Sequence, residues 1–119
     1  MVISIFRKEY GTSESITHFM DFYYSLQMKY LASDLLYEGL TPQQISDAVL
    51  RAIKVGKSSG LDIHQHFKPL FSSIDREIIG DCKLSQLGYG LVLMNAEAKT
   101  SAVGNWQLKV LEKYFKADL

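Results

Sequence analysis

Apolar positions recur at helical spacing along most of this chain. Ile16, Phe19, Met20, Tyr23, Tyr30 and Leu31 follow that spacing, and Phe22, Leu26 and Leu36 widen the stripe to a second face. The pattern predicts a long helix from Ser15 that stops at Gly39, continuous or with one break near Tyr30. Thr41 followed by Pro42 predicts the next helix start, because threonine satisfies a free amide and proline in the first turn wastes no donor. Gln44 completes a capping box. Ile45, Ala48, Val49, Ala52 and Ile53 then form an amphipathic stripe, which "GKSSG", Gly56 to Gly60, ends.

The stretch "LDIHQHFKPLFSSIDREIIGD" is the least regular, and Pro69 forbids an uninterrupted helix through it. It has room for a short β-hairpin near 68–79, with Lys68 to Phe71 facing Arg76 to Ile79 across "SSID". In "DCKLSQLGYGLVLMN" the pattern predicts a helix opening at Asp81, with Leu84, Leu87, Gly88, Leu91 and Val92 at helical offsets. Tyr89, Leu93 and Met94 make it apolar nearly all round, which puts it in the middle of the fold. Gly88 and Gly90 each cost about 1 kcal/mol against alanine in a helix, so a second helix is expected to cross closely there. Asn95, a residue that tolerates the left-handed conformation, is the expected stop. A last helix from Ser101 is expected to bury Val103, Trp106, Val110, Leu111 and Tyr114, with Lys109, Lys113 and Lys116 mainly outside that stripe. These elements predict a mainly α fold: a single compact helical domain over residues 1–119 with about four main helices and at most the one hairpin.

Composition narrows the class. At 119 residues, 47% hydrophobic and 22% charged, the chain is globular in character and long enough for one core. Lys plus Arg and Asp plus Glu balance at thirteen each, so no overall basic field draws it to nucleic acid or to an anionic membrane. The single cysteine, Cys82, excludes an intrachain disulfide and fits a reducing compartment as a small buried hydrophobe. "MVISIFRKEYG" lacks a basic leader and a small-residue cleavage site, and no stretch has the length of a membrane span, so a cytoplasmic location is expected.

Catalytic signatures are sparse. In "DIHQH", Asp62, His64 and His66 alternate and would converge on a metal if the segment were extended, the basis of a minority reading as a metal-dependent hydrolase. No third or fourth ligand stands at a recognisable spacing, so His64 and His66 are read as packing residues and no metal or cofactor is expected. "GKSSG" follows a helix and lacks the first glycine of a phosphate loop. No nucleophile elbow or Cys–His pair stands out, and the chain is expected not to be an enzyme. Arg51, Lys54 and Lys57 lie near one side of a helix and form the candidate surface for a partner or for nucleic acid. The aromatics Phe19, Phe22, Tyr23, Tyr24, Tyr30 and Tyr37 outnumber what one helix face buries, which motivates a homodimer through this region.

Two blocks carry a resemblance. "YLASDLLYEGLTPQQISDAVLRAIKVGKSSGLDIHQHF", Tyr30 to Phe67, resembles a segment in which an aromatic, a small residue and an Asp-Leu pair precede a helix and a Ser-Gly turn leads to His-Phe. "DCKLSQLGYGLVLMN", followed by Gln107 and then Tyr114 and Phe115, resembles a second block of Asp, Leu-Ser and an apolar helix ending in Asn. In this order they are similar to the DNA-damage-inducible protein D family, relatives of phage antirepressor (Bro-N type) domains. The resemblance implies a small helical module that binds DNA, or a DNA-processing or regulatory protein, without catalysis. Under it Asp34, Asp81, Ser85, Asn95 and Gln107 are structural polar groups that cap helices and fix packing, since a buried polar group without a partner costs about 1 to 3 kcal/mol. Ser33 and Gln86 stand where the family often carries arginine, which reduces the cations available to phosphate. The leading expectation is therefore a protein partner, and the alternative is direct DNA binding through Arg51, Lys54 and Lys57.

Overall fold

The fold, obtained as a computed structural model, describes residues 12–98 and 101–117. Helix α1 is Thr12–Gln27, strand β1 is Tyr30–Leu31, and a 3₁₀ helix covers Ala32–Glu38. Helix α2 is Pro42–Ser58, a 3₁₀ turn covers Ile63–Gln65, and strands β2 (Phe67–Ile74) and β3 (Glu77–Leu84) follow. Helices α3 (Gln86–Met94) and α4 (Ser101–Ala117) complete the order. The architecture is α+β, which corrects the mainly helical fold predicted above: the strands form one antiparallel sheet in the order β1-β3-β2.

Three local corrections follow from that sheet. Tyr30 and Leu31 pair with Leu84 and Lys83, so the long first helix ends at Gln27 and the chain re-enters helical geometry only as 3₁₀. Asp81 to Leu84 belong to β3, and the apolar helix opens five residues later than expected, at Gln86. Ser85 is its cap, its Oγ accepting from the Gly88 N–H at 2.9 Å. The hairpin is longer than expected and in another register, from Phe67 opposite Leu84 to Ile74 opposite Glu77. Its turn is Asp75–Arg76, with φ of 51° and 67°, the paired left-handed geometry that matches the twist of two strands.

Other signals held. Thr41 Oγ1 accepts from Gln44 N–H while Gln44 Oε1 accepts from Thr41 N–H, so the capping box starts α2 as predicted. Gly39 ends the 3₁₀ helix at φ 92°. Asn95 stops α3, but at φ −99°, not in the left-handed region.

The core lies where α2, the 3₁₀ helix, the base of the hairpin, α3 and the start of α4 meet. Ala48 and Ala52 of α2, Leu35, Leu84 and Val92 are fully enclosed. Leu87, expected inside, is 54% exposed, because α3 is covered on one side only. In α4 Val103 is buried and Trp106 and Val110 are half-buried, whereas Leu111 and Tyr114 are exposed, so the predicted stripe is covered only in its first half. On α1, Ile16, Phe19, Phe22, Tyr23 and Leu26 face outward, while Ser25 and Met28 anchor its end. No helix among the described residues is long and apolar enough to cross a membrane.

Gly88 is the tightest backbone contact. A Cβ there would sit 2.6 Å from the His66 carbonyl oxygen, so the close crossing expected from a helix is made instead by the turn that leads into β2. Gly90 meets a helix, with Trp106 of α4 at 3.6 Å from an added Cβ. Because the obstacle at Gly88 is backbone and cannot rotate away, Gly88→Ala is expected to destabilise by about 2 kcal/mol in urea unfolding, and Gly90→Ala by far less.

Candidate functional site

Near its base the hairpin packs into the core through Phe67, Cys82 and Leu84, but towards its tip it parts from α2. The parting leaves an apolar groove of about 390 Å³, walled by Leu36, Ile45, Val49 and Leu50 on one side and Phe71 and Gly80 on the other. Leu50 is 64% exposed and Phe71 77% exposed. Side chains this apolar and this open, facing one concavity, are the usual mark of a binding surface.

Ser33, Ser46 and Asp81 supply the polar side chains of the groove. Asp81 Oδ1 accepts from the backbone N–H of Ser33 at 3.0 Å and from that of Cys82 at 2.8 Å. Its Oδ2 accepts from Ser72 Oγ at 2.6 Å. Burial pushes this carboxyl upward, but the hydrogen bonds from Ser33, Ser72 and Cys82 together outweigh burial and hold it below the ordinary aspartate range. Cys82 lies in the groove wall with its thiol pushed up to about 11, chiefly by burial, which the Lys68 backbone partly offsets and the Asp81 charge reinforces to a lesser degree. It is a packing residue, not a nucleophile, at neutral pH.

The residues singled out from sequence are spread over the fold. Arg51 donates from Nε and one Nη to the Asn95 carbonyl oxygen at 3.1 and 2.7 Å, capping the end of α3, while Lys54 and Lys57 stay exposed on α2. Asp34 Oδ2 accepts from Leu31 N–H at the start of the 3₁₀ helix. Asn95 Nδ2 donates to Leu91 O, and Gln107 Nε2 donates to Leu93 O and Ala96 O, tying α4 to the end of α3. Ser85 Oγ also shares a 2.7 Å hydrogen bond with His66 Nδ1.

The extended geometry that a metal site at "DIHQH" requires is replaced by a 3₁₀ turn. Asp62 caps it, accepting from His64 N–H and Gln65 Nε2. Among the described residues no three His, Cys, Asp or Glu side chains converge as a metal site. His64 lies 3.9 Å from Asp21 of α1.

Sequence reasoning missed Leu50, Phe71 and Gly80. The available signal was the period-two alternation across Phe67 to Ile74, which puts Phe67, Pro69, Phe71 and Ser73 on one face. No family model matches this sequence, and no curated protein or solved structure matches it either.

Two measurements probe the site. The unfolded chain takes up a proton at Asp81 more readily than the folded one, so this group's stabilising contribution is complete above the ordinary carboxylate range. It falls away as pH drops through the depressed folded value. Asp81→Asn is therefore expected to lower the denaturation midpoint at neutral pH and to flatten its fall in acid, with the two proteins converging at the lowest pH. For Cys82, native protein at pH 7 is expected to react with a thiol reagent at least about a hundredfold more slowly than protein in denaturant, since the raised pKa alone cuts the thiolate by about that factor.

Proposed function

We propose that this chain is a non-enzymatic binding module, of the damage-inducible D or antirepressor type, that takes a segment of a DNA-processing or regulatory protein in the groove between α2 and the hairpin. The observation that carries the reading is the groove itself: Leu50 and Phe71 are exposed beside an apolar concavity and do little for the stability of the single chain. Covering a large apolar side chain yields about 1.5 to 3 kcal/mol, so these two supply the kind of anchors that protein interfaces use. The two ordered sequence blocks add the expectation that the partner acts on DNA.

Direct DNA binding has weaker support. Of its three candidate cations, Arg51 already spends two donors on the Asn95 carbonyl, leaving Lys54 and Lys57 as the exposed pair.

Photo-crosslinking in the source cells separates the two readings. A photoreactive residue at position 50 or 71 is expected to give discrete protein adducts, and Leu50→Glu combined with the probe at position 71 is expected to reduce them at least about tenfold. Nucleic-acid adducts from position 54, with none to protein from positions 50 and 71, would overturn the proposal in favour of DNA.

A further inference from the structure

We infer that the occupant of the groove is an extended segment of the partner, added to the sheet as a new strand along the open edge of β3. Its apolar side chains enter the groove and its basic side chains lie beside Glu77 and Asp81. This deepens the binding-module reading and rests on it.

The edge follows from the register. β1 pairs only with Leu84 and Lys83, and no described residue pairs with that side of β3 beyond Lys83. In a hairpin closed by a two-residue turn the residues flanking the turn exchange both backbone hydrogen bonds. The hydrogen-bonded pairs are therefore Ile74 with Glu77, Ser72 with Ile79, Leu70 with Asp81 and Lys68 with Lys83. The alternate residues of β3 turn their N–H and C=O away from β2. Leu84 spends its outward groups on β1, and the outward N–H of Cys82 is met by Asp81 Oδ1. Ile78 and Gly80 are left with donors and acceptors aimed outward, Gly80 in the wall of the groove and Ile78 next beyond it towards the turn.

Two features distinguish this edge. An added Cβ at Gly80 would meet nothing within 4 Å, so the groove-side face of the strand is open at that position to a side chain of the occupant. The outer edge of β2 is guarded by Pro69, which lacks an N–H, whereas Ile78 and Gly80 carry no such guard.

The unmet groups select the occupant. A helix has already used its own backbone donors, and an apolar small molecule fills a groove without meeting an N–H. An extended chain does both. Charge then selects among extended chains. Glu77, Ile79 and Asp81 share the face opposite to Ile78 and Gly80, so a carboxylate stands on either side of Ile79. A second copy pairing Ile78 with Gly80 in antiparallel register would set its Glu77 against Asp81, a like-charge opposition that destabilises a sheet. A segment with Lys or Arg opposite Glu77 and Asp81 and apolar residues opposite Ile78 and Gly80 meets every requirement. The depressed titration of Asp81 keeps its charge in place at neutral pH, so it attracts such a cation electrostatically.

The test uses the full chain, a phage-displayed library of random nonapeptides, and a synthetic peptide from the most enriched clone. Enrichment is expected for two apolar residues spaced by one and flanked by Lys or Arg. The peptide is expected to slow amide hydrogen exchange at Ile78 and Gly80, and N-methylation of alternate peptide residues is expected to abolish binding. Glu77→Lys is expected to weaken it about twofold to fivefold. Peptides that bind, are lost with Leu50→Glu, and tolerate N-methylation would overturn strand addition while leaving the groove as a binding site. No enrichment would overturn both. Slow exchange at Ile78 and Gly80 in the free protein would also overturn the inference: with a dimer in light scattering the occupant is a second copy, and with a monomer the edge is already covered.

Discussion

The carboxylate of Asp81 is the point on which the arrangement turns. Where β1 stops pairing after Leu31, the backbone N–H of Ser33, two residues on in the departing chain, is received by Asp81 Oδ1, and the same oxygen receives the Cys82 N–H of the strand being left. One side-chain oxygen thus replaces a rung of the ladder and lets the chain leave the sheet as a 3₁₀ helix with its donors satisfied. Without such an acceptor, two partly buried amides would be unpaired at about 1 to 3 kcal/mol each. Charge makes the acceptor stronger, which is why hydrogen bonding here overcomes the cost of partial burial and keeps the group ionised.

That early departure creates the groove. Because β1 is two residues long and β3 eight, most of the β3 edge lies beyond its neighbour, and the 3₁₀ helix leads the chain into α2 at a distance from the hairpin tip. The base is locked from several directions: Phe67 and Leu84 are buried opposite one another, Ser85 caps α3 and receives its own N–H partner in the His66 carbonyl, and Gly88 admits that carbonyl against the helix. A stiff base with an uncovered tip holds the groove open without relying on anything bound in it.

Legibility from sequence followed the range of the interaction. The capping box at Thr41 and Gln44, the stop at Gly39 and the alanine-lined stripe of α2 depend on neighbours within a turn or two, and each reads directly from residue types. "DCKLSQLGYGLVLMN" does not, because Leu84 fits a helical stripe as well as the inward side of a strand, and the choice is made by Tyr30 and Phe67, which lie far away in sequence. The "SSID" turn failed for a related reason. Polarity marks it, yet the longer ladder places Ser72 and Ser73 in the strand and accepts two left-handed residues at Asp75 and Arg76. Asp81 was read as a structural group, but as a helix cap; its role as an acceptor for Ser33 appears only once β1 and β3 are side by side. The groove was illegible because its walls come from three segments whose proximity is purely tertiary.

Phe71 and Ile78 stand on the inward side of the hairpin but beyond the reach of the core, each 77% exposed. Folding of the single chain gains little from either, and an apolar edge strand carries an aggregation hazard that sequences ordinarily reduce with charge or proline. Pro69 guards one edge and the carboxylates of Glu77 and Asp81 flank the other, so the apolar, unguarded stretch is confined to a few residues beside the groove. The hazard is thereby restricted rather than removed. A surface kept apolar at that position, with the carboxylates of Glu77 and Asp81 on the uncovered stretch of β3 and a rigid base behind it, has the form required for selective contact with a chain that carries basic residues at matching positions, and this is a physical reason to place function at the hairpin instead of on the lysines of α2.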